Sequence, residues 1–551
     1  MNDITVDFVA ATPSPCHDQP KPRVFPRFRL MIAIVVFCGA LCLAVGVVVF
    51  NKTKQPDVKN IVSNIQQSPG LKVNIKALRS SMQWKGKSDV SMYIVPRPAA
   101  SPSATLDFDA ILIQQDDQVL ETYVLLDNRA YWSISSGETL LRFGCLDESQ
   151  VPPVNLVQAS LDSSRAVKDV LVDDVSVPME CSSGQLLKLS FSGETFVYCN
   201  SNTNHLSFGR SSDLEISIDY LTDPNQVPNI VAPPDLDCPL VRTALPTLGT
   251  RTLLESNNLL STAVSASLDP ATCGCKGPQK PCLFVHGVGL NTTAALTDTF
   301  TDYWGTIHDH APCCTTTKFA HMDTVTRGWD DESLQREFCG TALQVASGNN
   351  GSIIGDLILT THSMGNMIAS AALVNNFCEF SSGVTWVSLA APMQGSKSAN
   401  YLVQKCNSRK WSDWIIKGLL KMAGLCPVNA GYSSLLHQST VDANRVHDLE
   451  AIQSKRAQHV PKLACGTSST GLLSVYSGLQ VVSTLSKHDT VNDGVVDVTS
   501  CQAGYGSSNF GSTYTSSNYD AVLNHFDLTF RHGDGWFGKN RKPVKWFECA
   551  L

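Results

Sequence analysis

Charge is scarce in this chain. Only 17% of its residues are Asp, Glu, Lys or Arg, the formal net charge is -7, and no long basic run occurs. Phosphate backbones are held by clustered Lys and Arg, so this balance argues against a nucleic-acid partner. Internal repeats are absent. Zinc spacing is missing as well. Cys273-Gly-Cys275 is followed by Cys282, but no histidine or fourth cysteine stands at ligand distance beside them, and disulfides are the better reading. No metal and no cofactor is expected.

What is present points to a large, membrane-attached, disulfide-bonded protein. A length of 551 residues favours two or more domains, and 43% hydrophobic content can build their cores. Of 19 cysteines, Cys16, Cys38 and Cys42 lie before or within one apolar run, and the other 16 follow it. That even number suits disulfides in a lumen or outside the cell. The run, "MIAIVVFCGALCLAVGVVVF" from Met31 to Phe50, carries no charge and is long enough to span a bilayer. It is too long for the core of a cleaved signal peptide and reads as an uncleaved signal anchor. Lys21, Arg23, Arg27 and Arg29 precede it, a bias that keeps the N-terminus cytoplasmic. The expectation is a single-pass type II protein of the secretory pathway or plasma membrane, held by residues 31–50. Asn291-Thr-Thr and Asn350-Gly-Ser are glycosylation acceptors on the far side, whereas Asn51-Lys-Thr lies too near the membrane.

Five regions follow along the chain. Residues 1–30 form a proline-bearing cytoplasmic tail, and 31–50 the anchor. Residues 57–222 read as β-rich and antiparallel. One amphipathic helix (Val58 to Leu78) opens the region, and alternating strands follow, with a hairpin signal at Asp127-Asn128. Cys145, Cys181, Cys199 and Cys238 are placed to pair within this part. Its pattern resembles the open half-barrel of lipoprotein-carrier proteins. Residues 223–250 are proline-rich and read as a linker. From 270 to 551, strands such as "PCLFVHG", "TTKFAHMDTV" and "DLILTTHS" alternate with helices such as "ALTDTFTDYWGTIHDH" and "DDESLQREFCGTALQVA". Such alternation means a mostly parallel sheet covered on both faces.

The chemistry lies in that last region. "LILTTHSMGNMIASAAL" sets Ser363 between a strand-like run and a helix-like run. A sharp turn there lifts the hydroxyl to the carboxyl edge of a sheet, with helix N–H groups behind it. The pattern G-x-S-x-G is met by Thr361, His362, Ser363, Met364 and Gly365, with threonine in place of the first glycine. A serine nucleophile needs an oxyanion hole, a base and an acid. "FVHGVGL" offers the Val288 amide after His286-Gly287, and the Met364 amide follows the serine. His525 in "NHFD" is the candidate base. Asp493 in the Asn-Asp-Gly turn is the candidate acid, with Asp497 and Asp489 as alternatives. His362 is read as packing beneath the elbow. His308, His310 and His321 precede the serine, the wrong order for this fold.

Together, Asn492-Asp493-Gly494, Asn524-His525-Phe526-Asp527 and the "LAAPMQGS" strand end resemble secreted bacterial triacylglycerol lipases of the α/β-hydrolase fold. The resemblance covers roughly residues 280–530 and implies a lipase or esterase with Ser363, His525 and Asp493 as its triad. Those lipases hold calcium between two aspartates. Asp527 matches one of them, but "SSTGLLSVY" offers no second acid before Asp493, so no metal is assigned. The threonine in the elbow keeps glycosylphosphatidylinositol-deacylating hydrolases, which carry an H-S-M-G elbow, among the relatives to consider. Trp411 to Leu425 is amphipathic and lies where such enzymes insert a lid; a core helix of the insert is the competing reading. The expected function is hydrolysis of carboxylic esters, most naturally of lipids, through an acyl-enzyme. Acyl transfer on the same residues, or a non-catalytic lipid- or protein-binding role on this scaffold, are the alternatives.

Overall fold

Residues 58–78, expected as one helix, divide in two in the computed structural model. The helix Val58–Gln67 stops before Pro69-Gly70, and Leu71–Ala77 is a strand. Proline and glycine break the helical pattern, and "LKVNIKA" alternates with the period of a strand. The structure describes residues 57–551 apart from 84–85, 98–105, 117–118, 147–149, 153, 242–264, 410–425, 473–478 and 489–490. The tail, the anchor 31–50, Asn51, the lid candidate 411–425, Asp489 and the rest of the proline-rich stretch beyond 241 therefore lie outside the described residues. Among the described residues no helix is long and apolar enough to cross a membrane.

The β-rich part forms one eleven-stranded sheet. Its strands pair antiparallel, and Leu71–Ala77 pairs with Leu214–Tyr220 in the middle of the order. Asp127 and Asn128 both take positive φ between Leu126 and Arg129, the conformation a two-residue hairpin requires. Val73, Ile75, Met92 and Ala110 face one side with Ile61 and Ile65 of the first helix. Ile111, Val124 and Tyr131 face the other. There the described portion of the proline-rich stretch, residues 223–241, packs with Ile230, Ala232 and Leu236, and Cys238 bonds to Cys145.

The second part has an eight-stranded sheet. Lys280–Val285, Cys314–His321, Leu357–His362, Val384–Leu389, Lys462–Gly466 and Asn518–Ala521 run parallel. Ala294–Thr297 pairs antiparallel at one edge. It occupies the start of the expected helix 295–310. Only Thr301–Trp304 is α-helical there, ending at Gly305 with φ 57°. Helices Glu332–Val345, Met364–Val374 and Ala443–His459 share one buried cluster, and Pro543–Ala550 belongs to another. Both faces of the sheet are thus covered, as parallel strands require.

The two parts form a single compact unit. Asp213 of the first part accepts from Lys542 and Lys545 of the second at 2.8 and 2.7 Å. Lys542 also reaches Glu194 at 2.9 Å, and Arg79 reaches Glu548 at 2.6 Å and Asp534 at 3.4 Å. All seven side chains are buried. Burial alone would raise the Asp213 carboxyl, but the two lysines hold it below its ordinary value. Trp536 and Phe537 pack into the core of the eleven-stranded sheet. Eight disulfides join all 16 cysteines that follow residue 50, including Cys181–Cys199 and Cys273–Cys549. So many bridges suit an oxidising compartment, extracellular or lumenal.

Candidate active site

Ser363 follows the buried strand Leu357–His362 and immediately precedes the helix Met364–Val374. Its φ is 53° and its ψ -128°, a backbone that non-glycine residues rarely adopt. Gly365 explains how the turn fits. A Cβ there would meet the His286 and Val285 carbonyl oxygens at 2.7 and 2.8 Å, so the neighbouring strand end allows only glycine. The first glycine of the pattern is dispensable for a different reason. Thr361 is buried, its hydroxyl accepts from the Trp386 indole at 2.8 Å, and it donates to Asn366 Oδ1. Asn366 in turn donates to the carbonyls of Ser363 and Leu389 at 3.1 and 3.0 Å. Threonine here is part of a satisfied buried network that ties the turn to the next strand.

His525 Nε2 lies 3.0 Å from Ser363 Oγ, and its Nδ1 lies 2.8 Å from Asp493 Oδ2. The Asn-Asp-Gly turn aims that carboxylate. Asp493 Oδ1 accepts from the Val495 and Val496 amides at 2.9 and 2.7 Å, which leaves Oδ2 for the imidazole. The imidazole then donates from Nδ1, and the serine hydroxyl donates to Nε2. The N-H-x-D loop is braced from within. Asn524 Oδ1 accepts from the Phe526 and Asp527 amides, and Asp527 Oδ2 accepts from the Asn524 and Leu472 amides. Asp527 Oδ1 faces His532 Nδ1 at 2.7 Å.

The other aspartates part company with His525. Asp497 Oδ2 lies 3.0 Å from His488 Nδ1, whose Nε2 lies 3.1 Å from Ser398 Oγ. Asp489 lies outside the described residues. Asn291 and Asn350 are both exposed. Among the described residues, no three His, Cys, Asp or Glu side chains gather to hold a metal.

The loop after strand Lys280–Val285 approaches the serine closely. A Cβ on Gly287 would meet Ser363 Cβ at 2.6 Å. Buried His286 accepts the Met322 amide at Nε2 (3.0 Å) and donates from Nδ1 to the Gly287 carbonyl (2.7 Å). Thr324 Oγ1 donates to the same carbonyl at 2.9 Å. In a trans peptide the next N–H points the opposite way, so these two donors fix the direction of the Val288 amide. The Gly287 amide donates to Tyr303 and the Gly289 amide to Thr324. Among the described residues the Val288 and Met364 amides donate to no protein acceptor.

Tyr303 joins these pieces, and nothing in its surrounding sequence marks it. Its hydroxyl accepts the Gly287 N–H at 2.8 Å and donates to His362 Nδ1 at 2.7 Å. His362 Nε2 donates to the His525 carbonyl at 3.0 Å. His362 therefore lies beside His525, bonded to its backbone, and not to Ser363. Burial and the neighbouring His525 push its pKa well below the ordinary value, and burial pushes His286 down to about 4, so both are neutral. Tyr303, Asn366, Ser398 and His488 are absent from the expectations drawn from sequence. Tyr303 meets Gly287 and His362, Asn366 meets Leu389, and Ser398 meets His488 across 16 to 90 positions, beyond any local pattern.

No family model and no curated sequence matches this chain. Similar solved structures include a Staphylococcus hyicus lipase, at 14% identity and a TM-score of 0.26 over 50% of this chain and 94% of that one. Phospholipase PlaB from Legionella pneumophila aligns at 13% identity and a TM-score of 0.26, over 40% of this chain and 45% of its own.

Proposed function

We propose that this chain is a serine hydrolase of carboxylic esters, acting on lipids through an acyl-enzyme. The observation that carries the reading is the unbroken line Asp493–His525–Ser363, with hydrogen bonds of 2.8 and 3.0 Å ending on a serine at positive φ. Ser363 Oγ attacks the ester carbonyl while His525 Nε2 takes its proton. Asp493 holds the imidazole in the correct tautomer and stabilises its charged form. The Val288 and Met364 amides receive the oxyanion. The intermediate collapses, His525 returns the proton to the departing alcohol, and water repeats the sequence to free the acid. The anchor at residues 31–50 keeps the site beside a membrane, on its lumenal or extracellular side, where ester lipids are at hand.

Full-length protein treated with a fluorophosphonate probe tests this. The expected adduct sits on Ser363 and is lost in Ser363→Ala and in His525→Ala. A folded parent protein that takes no label, or takes it equally after Ser363→Ala, overturns the mechanism.

A further inference from the structure

A cavity of about 780 Å³ lies between the eleven-stranded sheet and the second part of the chain. Neither Ser363 nor His525 lines it. Interiors are packed with few voids larger than a water molecule. A space of this size falls within the range of small-molecule sites, roughly 300–1,000 Å³.

Its walls indicate what fits. Met92, Leu112 and Tyr123 are successive cross-strand partners, and Ala110 pairs with Leu125, so one face of three strands presents a continuous stripe. That stripe is apolar apart from Tyr123 and the neighbouring Gln114. Gln114 also lines the cavity, and its buried Oε1 has no hydrogen-bond partner among the described residues. An unsatisfied buried acceptor is costly and calls for a donor such as a hydroxyl. Opposite the stripe stand Phe530, Arg531, Trp536 and Phe537. A water occupies about 30 Å³ of liquid and a methylene is of similar size, so the space takes roughly 25 heavy atoms. We infer that the cavity binds one long-chain acyl lipid with a hydroxyl-bearing polar end, of the monoacylglycerol class.

The site does not rest on the hydrolase reading, but it is joined to Ser363. Arg531 Nε donates to the Tyr303 carbonyl at 3.1 Å, and its guanidinium lies 5.0 Å from the Tyr303 ring centre. Tyr303 holds Gly287 and His362. Two residues thus connect the cavity wall to the serine's surroundings.

The test uses full-length Ser363→Ala protein in lipid nanodiscs, so that nothing is turned over. A monoacylglycerol carrying a diazirine in its acyl chain is bound and irradiated, and the labelled peptides are mapped. The expected label falls within residues 71–126 and 530–544 and is competed by unlabelled monoacylglycerol. Leu112→Trp and Ala110→Phe fill the stripe. Each should cut the label about tenfold, a loss of about 1.4 kcal/mol of binding, in protein whose thermal transition shows it is folded. Label that is not competed, or that falls only outside those two segments, overturns the proposal. So does undiminished label in either folded variant. Should both variants fail to fold, the position and competition of the label in the Ser363→Ala protein alone decide.

Discussion

Gly365→Ala is the sharpest probe of how the serine is aimed. The added Cβ would sit 2.7 Å from the His286 oxygen and 2.8 Å from that of Val285, where ordinary contact begins at 3.4 Å. Both obstacles are backbone, so no side chain can rotate away. Relief demands a separation of 3.4 - 2.7 = 0.7 Å between the elbow and the strand end that leads into Gly287. That movement shifts Ser363 relative to the Val288 amide while His525 stays hydrogen-bonded to Asp493. A misplacement of about 1 Å can cost on the order of 10²-fold in rate, so kcat should fall roughly 10- to 100-fold. Because the shift acts on transition-state geometry, KM should change little. Steady-state hydrolysis of p-nitrophenyl butyrate measures both, and the rate of fluorophosphonate labelling should fall in parallel. Thr361→Ser keeps the hydroxyl shared by Trp386 and Asn366 and should stay within about threefold of the parent. A folded Gly365→Ala protein with the parent kcat would refute the claim that this contact sets the site.

Other outcomes follow from the same geometry. Ser363→Ala and His525→Ala should each lower kcat by roughly 10³-fold or more, and the double variant little further, because groups acting as a unit are not additive. Asp493→Asn should be severe and Asp497→Asn mild in the same esterase assay, since Asp497 faces His488 rather than His525; the reverse order would reassign the acid. Acid should destabilise the fold. The His286 pKa is about 4 in the native state against an ordinary 6.5, so only the unfolded chain takes up this proton between those values. Stability is then full above pH 6.5 and falls as pH drops, by about 2 kcal/mol at pH 5. His286→Asn should flatten that loss in thermal melts at pH 7 and pH 5, and an unchanged slope counts against it. Asp213→Asn leaves Lys542 and Lys545 buried with weakened pairing and should cost about 3–5 kcal/mol in denaturant unfolding. Both parts should then unfold in one transition; two separate transitions in the parent would contradict their shared ionic core. Mass spectrometry of material from a secretory cell should find a glycan on exposed Asn350, and protease protection in sealed microsomes should shield residues beyond 57.

Much that is local was legible in the sequence. The strand–serine–helix order at residues 357–374, the Asp127-Asn128 hairpin and the strand–helix alternation after 280 each depend on neighbours a few positions away. Where a local pattern competed with a breaker, the breaker won, as Pro69-Gly70 did over the helical spacing of 58–78. Distance in sequence hid the rest. Three aspartates within nine positions look equivalent in a string. Only the folded chain turns Asp493 toward His525 and Asp497 toward His488, because two amides of the 493–496 turn leave one carboxylate oxygen to spare. Tyr303 carries no motif, yet it links Gly287 to His362. The proline-rich stretch suggested a tether, but a disulfide and an apolar strip fasten its described part to the sheet. Residues 57–222 and 270–551 read as separate domains by composition. Buried charges up to 469 positions apart in sequence tie them into one body. Periodicity reports which face of an element is apolar; which surface meets that face, and whether a cavity is left between them, is decided only by tertiary packing.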